Sequence, residues 1–531
     1  MTTLSIPYAK TGYFSKLICD YLAEDPLLSD FYGRSPSLEN FKEQLEEKQL
    51  SFTTDSRKTL VSALQTQYKN TTTSQATRNN IASLSEVNTF TITTGHQLNL
   101  FTGPLYFLYK IFSVINLSEK LKATYPNSNF VPIYWMASED HDFDEINYFN
   151  LFGNKLQWER ESGGAVGALT NDGLAEILKE LKNKLGESEN ATALASLFAE
   201  AYTAHENLAD ATRYIGNKLF SDYGLVVLDG NDTSLKKEFA SYVKRELLEK
   251  TSHAEINATS NRLTTLGYPQ QVFPREINMF YLAAGIRERI IEKDGRFYVN
   301  DTSIAFSRDE LLVELEENPQ NFSPNALLRP LYQEVILPNL CYVGGGGELA
   351  YWFQLKDYFN SVGIPFPILL LRNSVLLMSE KESKKLEKLD VSIDSLFLPR
   401  HKLEAQYTHQ LSAIAIDFTE QKNLLIDQFK VLYTLAKQTD ASFKGAVAAQ
   451  EKKQINGLAH LEKRLLSAQK RKHADQLKRL TTLQGILFPK QSLQERLVNF
   501  SELYLEFGDE LLLGLKQNLN PLANTFTIIK L

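Results

Sequence analysis

The segment from Thr94 to Pro104 gathers side chains that can bind an anion. It reads TGHQLNLFTGP and supplies an imidazole, two amides, two hydroxyls and two glycines just before a run with helical spacing. Backbone N–H groups at a helix N-terminus favour phosphate or carboxylate ligands. We predict a binding loop here, with a turn and helix cap as the alternative. The Walker A and G-x-G-x-x-G fingerprints of nucleotide-binding proteins do not occur in the chain.

Acidic side chains crowd the segment Trp135–Asn147. Five carboxylates and one histidine fall within the seven residues from Glu139 to Glu145. Such crowding costs free energy unless a cation or a substrate amine offsets the charge. An EF-hand loop is excluded, because its sixth position would be Glu145 instead of glycine and its twelfth Leu151 instead of glutamate. Three interpretations stay open: a catalytic or amine-binding site that includes His141, a Mg²⁺ site serving a nucleotide, or a set of helix caps.

A third segment combines an arginine with a glycine run. Arg329 could hold a carboxylate or phosphate through two hydrogen bonds. Gly344–Gly347 open a predicted helix, where glycine lets the backbone approach an anion closely, and a flexible linker is the alternative. Arg372 ends a later apolar run and is a second candidate anion contact, with a structural salt bridge as its alternative. Cys341 has apolar neighbours, which predict a buried, unreactive thiol.

These segments follow predicted strands, which would bring them to one edge of a sheet. The runs Phe90–Thr94 and Phe130–Met136 predict two strands, and residues 105–122 predict a helix between them. Strand, helix and strand in this order are typical of a parallel, Rossmann-type sheet. Further strands are predicted at 224–230, 364–371 and 526–529. Residues 1–85 are predicted to be helical. Helical connecting insertions are predicted at about 160–220 and 233–300, the second with helix over 233–265 and strand-like pieces between 268 and 310.

The C-terminal part differs from the rest of the chain in composition and in the spacing of its apolar residues. Residues 402–484 contain no proline and only two glycines, Gly445 and Gly457. Apolar residues recur at threes and fours from Ile455 to Leu483, with an irregularity at 470–473. This pattern predicts two long helices in an antiparallel coiled-coil hairpin with its turn near residues 440–445. The predicted domains are an α/β core at 1–385, a coiled-coil domain at 386–490 and a segment at 491–531 that packs back on the core.

Composition and charge limit the classes of protein. The chain has 531 residues, of which 43% are hydrophobic and 23% charged, and a formal charge of −7. These values exclude a disordered chain and a broadly basic nucleic-acid binder. The two cysteines, Cys19 and Cys341, exclude a disulfide scaffold and a multi-cysteine zinc site. No signal peptide or membrane span is evident, so we expect a cytoplasmic protein without a nucleic-acid or membrane partner.

Four blocks of the sequence together resemble the bacillithiol-synthase, or cysteine ligase, family. They are TTGHQLNLFTGPLYFLYK (93–110), PIYWMASEDHDFDEIN (132–147), LLRPLYQEVILPNLCYVGGGGELAYW (327–352) and LFPKQSLQERLVNF (487–500). The resemblance extends over essentially the whole chain. It implies a nucleotidyltransferase-like Rossmann core with helical insertions, and a C-terminal antiparallel coiled coil that supports a homodimer.

The resemblance also implies a reaction, the joining of the carboxyl group of L-cysteine to the amine of glucosaminyl-malate in the final step of bacillithiol formation. By analogy with cysteine-activating ligases, ATP would activate the carboxylate as an adenylate. ATP or ADP would be the bound nucleotide, and Mg²⁺ could accompany it. His96 and Gln97 stand where related enzymes carry an HxGH signature, which this chain lacks, and Met378–Lys381 faintly resembles their KMSKS loop. No zinc is expected, because the two cysteines are far apart in sequence.

The predicted site follows from these segments. The predicted catalytic groups are His96, Asp140, His141, Asp142 and Asp144, of which the last four would orient the amine or accept its proton. The loop that contains His96, with the following helix N-terminus, would meet phosphate or adenylate. Groups predicted to bind substrate or nucleotide are Thr94, Gly95, Gln97, Asn99, Thr102, Gly103, Tyr106, Lys110, Trp135, Ser138, Glu139, Asn147, Arg329, Tyr332, Glu334, Asn339, Gly344, Gly345, Gly346, Gly347, Glu348 and Arg372. Of these, Arg329, Arg372 and the glycine run are assigned to the malyl carboxylates. Two rival functions stay open: a different amide-forming ligase on the same scaffold, and a non-catalytic interaction protein built around the coiled coil.

Overall fold

A parallel sheet lies at the centre of the molecule. The computed structural model describes residues 2–531. The sheet's five strands run in the order β13-β12-β2-β3-β6, and every pair is parallel. The strands of the described chain are β1 (Thr2–Pro7), β2 (Thr89–His96), β3 (Asn129–Met136), β4 (Tyr148–Leu151), β5 (Asn154–Gln157), β6 (Val226–Asp229), β7 (Met279–Ala283), β8 (Ile286–Lys293), β9 (Arg296–Val299), β10 (Ala305–Phe306), β11 (Phe322–Pro324), β12 (Asn339–Gly344), β13 (Ile368–Leu371), β14 (Val375–Met378) and β15 (Thr525–Lys530). The Rossmann-like prediction is confirmed, although β13 begins at Ile368 and is shorter than the predicted strand.

Helices cover both faces of this sheet. They are α1 (Tyr8–Thr11), α2 (Lys16–Leu22), α3 (Leu38–Ser51), α4 (Thr54–Gln67), α5 (Gln75–Ser83), α6 (Tyr106–Thr124), α7 (Phe143–Ile146), α8 (Leu174–Leu185), α9 (Glu189–Thr203), α10 (Leu208–Phe220), α11 (Thr233–Glu249), α12 (Thr251–Thr265), α13 (Arg308–Glu317), α14 (Arg329–Ile336), α15 (Gly346–Trp352), α16 (Lys356–Val362), α17 (Glu380–Leu389), α18 (Arg400–Leu411), α19 (Thr419–Ala436), α20 (Ala441–Lys472), α21 (Ala474–Leu487), α22 (Phe500–Phe507) and α23 (Asp509–Asn518). With helices on both faces, every residue of β2 is buried, as expected of a central parallel strand.

The strand register sets where the site forms. Gly95 pairs with Trp135 and His96 with Met136 between β2 and β3, while β12 lies on the other side of β2. The chain leaves β2 toward β3 and returns later on the opposite side as β12, so the strand order reverses at β2. Ligands of open parallel sheets bind at the carboxyl ends of the strands beside such a reversal.

Within residues 2–531, three further sheets lie outside the central one, and the smallest of them pairs β4 with β5. Strand β1 pairs with β15, which also pairs with β14, so the N-terminal residues are not wholly helical. An antiparallel sheet of order β10-β9-β8-β7-β11 spans 279–324 and contains the strand-like pieces predicted between 268 and 310. The helices before it end at Thr265, as predicted for residues 233–265. This antiparallel sheet contributes side chains to the site.

The C-terminal coiled coil contains four helices instead of the two long ones predicted. Between α18 and α19, the side chains of Ser412 and Asp417 bind nearby backbone groups and replace helical hydrogen bonds. The turn falls at 437–440, where Asp440 caps α20, so that Gly445 lies inside the helix. A break at His473 separates α20 from α21, at the irregularity seen in the sequence.

No helix in residues 2–531 combines the length and apolar character needed to cross a membrane.

Candidate active site

A cavity of about 630 Å³ opens at the carboxyl ends of β2, β3 and β12. It brings together the three segments singled out in the sequence. The predicted residues that line it are Gly95, His96, Gln97, Tyr106, Lys110, Trp135, Glu139, Asp140, His141, Arg329, Gly345, Gly346, Gly347, Glu348 and Arg372. Five lysine or arginine side chains and three carboxylates face the same space, so the cavity carries an excess of positive charge.

Other predicted residues do not line this cavity. Some are engaged in structural hydrogen bonds: Tyr332 donates to Gly230 O, Thr94 to Val343 O and Ser138 to Asp229. Glu334 forms a buried ion pair with Lys48, and its other oxygen accepts a hydrogen bond from Asn339. The remaining predicted residues outside the cavity are Asn99, Thr102, Gly103, Asp142, Asp144, Asn147 and Gly344. Cys341 is fully buried, as predicted, and burial raises the pKa of its thiol.

A buried ion pair forms one wall of the cavity. Lys110 Nζ lies 2.7 Å from Glu348 Oε2 and donates to Gly95 O at 2.6 Å. Glu348 also accepts hydrogen bonds from the Tyr342 hydroxyl and from Gly345 N, each at 2.8 Å. Burial alone would raise the pKa of Glu348, but Lys110 and these hydrogen bonds outweigh it and lower that pKa. The pair therefore ties the end of β2 to the start of α15.

Two arginines leave hydrogen-bond capacity free beside this wall. Arg329 donates through Nη1 to Gln333 and lies against Trp135 and Tyr342, but its buried Nη2 has no partner among the described residues. Arg372 donates to Glu495 at 2.7 Å, so it forms the structural salt bridge considered as its alternative role. Its buried Nε nevertheless has no partner in the described part of the chain. Buried donors without partners are rare. Both groups are therefore suited to an anionic ligand.

His96 lies at the end of β2 and is 6% exposed. Burial, helped by the nearby Lys110 charge, lowers the pKa of His96 to about 3, so the ring is neutral at pH 7. A neutral ring can still exchange hydrogen bonds with a ligand. It cannot supply a positive charge to a phosphate group.

The acidic segment divides between the cavity and solvent. Gln97 Nε2 donates to Asp140 Oδ2 at 3.0 Å and to Glu145 Oε2 at 2.8 Å, which fixes Asp140 at the cavity edge. Glu139 is paired with Lys236. Asp142 and Asp144 are exposed. Asp140 is thus the carboxylate of this segment that lines the cavity without a cationic partner at short range.

Arg287 is a cavity residue that the sequence analysis missed. It is buried, stacks on Phe280 and donates through Nη1 to His141 Nδ1 at 2.6 Å. A guanidinium has only donors, so His141 Nδ1 must be the acceptor and the neutral ring must carry its proton on Nε2. Strands β7 and β8, which hold Phe280 and Arg287, give no motif to detect. The other cavity residues missed are Met136, Ala137, Pro324, Asn325, Ala326, Tyr342, Tyr351 and Arg496.

The binding loop holds an unusual backbone conformation. Phe101, Thr102 and Gly103 have φ values of 48°, 68° and 64°, in the left-handed region. A Cβ on Gly103 would lie 2.6 Å from Asn99 Cβ, so only glycine fits there. Asn499, from the C-terminal block, donates to Phe101 O at 2.8 Å and to Gly103 O at 2.6 Å. The C-terminal segment therefore supports the loop that presents His96 and Gln97.

Metal ligands do not cluster in the described chain. Within residues 2–531, no group of three or more His, Cys, Asp or Glu side chains is arranged to hold a metal ion.

Comparison with known proteins places the chain in a family. A family model described as the N-terminal Rossmann-like domain of bacillithiol biosynthesis BshC matches residues 1–373, and one for its C-terminal coiled-coil domain matches residues 375–531. Proteins named "Putative cysteine ligase BshC" from Flavobacterium johnsoniae and Christiangramia forsetii are 54% and 53% identical, with 99% or more of each chain covered. One of that name from Chloroherpeton thalassium is 30% identical over 97% of both chains.

A solved structure described as a putative arginyl-tRNA synthetase from Campylobacter jejuni covers 77% of this chain and 94% of its own, with 10% identity and a TM-score of 0.19. That similarity is too low to support a conclusion. The two domain models and the full-length relatives show that the chain belongs to the BshC family of bacillithiol biosynthesis.

Proposed function

We propose that this protein is a ligase that joins the carboxyl group of L-cysteine to the amine of glucosaminyl-malate. The full-length similarity to proteins named as cysteine ligases supports the reaction class. The observation that carries the proposal is a single cavity that contains both unpartnered arginine donors and the Asp140 carboxylate, which has no lysine or arginine ion-pair partner among residues 2–531.

The cationic side of the cavity suits the malyl group. Arg329 Nη2 and Arg372 Nε offer charged donors without protein partners, and hydrogen bonds to charged groups contribute about 1.5–3 kcal/mol. A dicarboxylate would satisfy both donors. The glycine run Gly345–Gly347 lies beside them, so a carboxylate or phosphate can approach its backbone.

The acidic side suits the amine. Asp140 is oriented by Gln97 and lines the cavity, so it can hold an ammonium group and accept its proton. His141 donates from Nε2 in the tautomer that Arg287 imposes, which suits an oxygen atom of the substrate. This assignment gives the amine to Asp140 instead of His141.

ATP is the proposed cosubstrate, because an amide does not form favourably from a free carboxylate and an amine in water. The nucleotide would supply activation of the cysteine carboxylate. Arg496 also lines the cavity and is not assigned to the malyl group, so it is the cationic side chain proposed to meet the phosphates, in the same cavity that the neutral His96 lines. Mg²⁺ would be held mainly by phosphate and water, as it commonly is.

Paired variants test these roles in a condensation assay with cysteine, glucosaminyl-malate and ATP. Asp140→Asn should lower kcat about 100-fold, the size expected for loss of a general base. Arg329→Met should raise KM for glucosaminyl-malate at least ten-fold through the lost charged hydrogen bond.

The matched controls are Asp142→Asn and Arg78→Met, whose side chains are exposed. Both controls should keep wild-type kinetics. Equal effects in Asp140→Asn and Asp142→Asn would contradict the proposed site. A panel of other amines in the same assay separates glucosaminyl-malate from the substrate of a related ligase.

A further inference from the structure

A second, much smaller cavity lies under the binding loop. Its volume is about 10 Å³, close to the 10–15 Å³ that one water molecule requires. It is enclosed by the loop, by Tyr134 of β3 and by Thr212 of α10. His96 and Gln97 line both this cavity and the candidate active site.

Four buried polar atoms around this cavity have no hydrogen-bond partner in the described chain. They are Asn99 Oδ1, Thr102 Oγ1, Tyr134 OH and Thr212 Oγ1. Their residues are each at most 9% exposed. Leaving even one buried polar atom unpaired costs free energy, and four around one small space is far above the usual frequency.

We propose that this cavity binds a single water molecule that joins the binding loop to β3 and α10. A water offers two donors and two acceptors, which matches the four atoms. It would donate to the Asn99 oxygen and to one hydroxyl, and accept from the other two hydroxyls. No carboxylate lines the cavity, so the charge needed to hold a metal cation is missing.

The water would have a positioning role. Asn99 precedes the left-handed stretch of the loop and Thr102 lies within it, and Asn499 donates to two backbone carbonyls of that stretch. The bound water would join the side chains of Asn99 and Thr102 to Thr212 of the insertion helix α10. His96 and Gln97 lie at the start of the same loop, so their place in the larger cavity would depend on the anchored loop.

The direct test is a crystal structure of the full chain at a resolution that shows ordered water. We expect one peak within 2.7–3.2 Å of the four atoms. Absence of a peak, four side chains turned to protein partners, or contacts of 2.3–2.6 Å typical of a metal cation would each overturn the proposal.

Two matched tyrosine variants provide a second test of the bound water. Tyr134→Phe removes one partner of the water. Tyr109→Phe removes another buried, unpartnered hydroxyl that does not line this cavity. Hydrogen exchange of the amides at 97–103 should speed up about five-fold in Tyr134→Phe, the equivalent of one lost hydrogen bond, and stay unchanged in Tyr109→Phe. Equal exchange in the two variants would overturn the positioning role. This readout does not depend on the proposed ligase activity.

Discussion

At the residue scale, the contact between Arg287 and His141 changes the role expected of that histidine. From its position in the acidic segment, His141 was predicted to be one of the groups that could accept the amine proton. In the structure its Nδ1 is occupied by a guanidinium donor, so the ring presents an N–H group. A group that already carries a proton on its open nitrogen orients a ligand oxygen instead of taking a proton.

This assignment predicts the tautomer of His141 in solution. With ¹⁵N-labelled histidine, its ring should show a protonated Nε2 and an unprotonated Nδ1, assigned by loss of the signals in His141→Gln. Arg287→Met should change these shifts, because the fixed donor is removed. Arg289→Met, an exposed arginine on the same strand, should leave them unchanged. A protonated Nδ1 in the wild-type protein would contradict the assignment.

Residue types alone could predict part of the site. The loop after β2, the acids after β3 and the glycines after β12 were found because each follows an apolar strand. Arg287 could not be found, because it stands among other charged residues on an antiparallel strand, where a lone arginine indicates a solvated face. The engagement of Glu334 and Asn339 in a buried network was equally invisible, since burial of a polar pair depends on distant partners such as Lys48.

At the element scale, the C-terminal segment acts as a support for the binding loop. Asn499 donates to two loop carbonyls, and its oxygen caps α22 through Ser501 N. Asn499→Ser keeps a capping oxygen and removes the amide donor. Two buried carbonyls then lose their partner, which should lower the free energy of unfolding by about 2–3 kcal/mol in urea denaturation.

The control for this prediction is Asn261→Ser, an exposed asparagine on α12. Its unfolding free energy should change by less than about 0.5 kcal/mol. If both variants unfold alike, the C-terminal segment does not support the loop.

Elements were predictable where burial on both faces leaves an apolar run, as in β2, β3 and β6. Strand β1 was missed because it lies at a sheet edge and buries only Ile6, so its sequence does not alternate between apolar and polar residues. The break between α18 and α19 was missed because it depends on side-chain capture of backbone groups by Ser412 and Asp417, while the residues around them still have helical spacing.

At the scale of the whole molecule, the coiled coil predicts a homodimer. Leu424, Val431 and Leu435 of α19 are 59%, 65% and 52% exposed and lie at helical spacing on one side of the helix. The inner side, with Phe429 and Ala436, is already packed on Val447 of α20. An exposed apolar stripe of this kind is typical of a protein interface.

Light scattering after size exclusion tests the dimer. The wild-type protein should have twice the mass of the 60.3 kDa chain. The double variant Val431→Glu/Leu435→Glu should be monomeric, because charge in the stripe opposes burial. Thr434→Glu, on the same helix and already polar, should stay dimeric. A monomeric wild type, or a dimer unaffected by the double variant, would contradict this interface.

The central claim is that the cavity at the strand ends makes an amide between cysteine and glucosaminyl-malate. Mass spectrometry of a reaction with wild-type protein, both substrates and ATP tests it most directly. We predict a product with the mass of the two substrates minus one water, formed only when ATP is present. No product under conditions in which a bacillithiol-forming relative is active would contradict the claim.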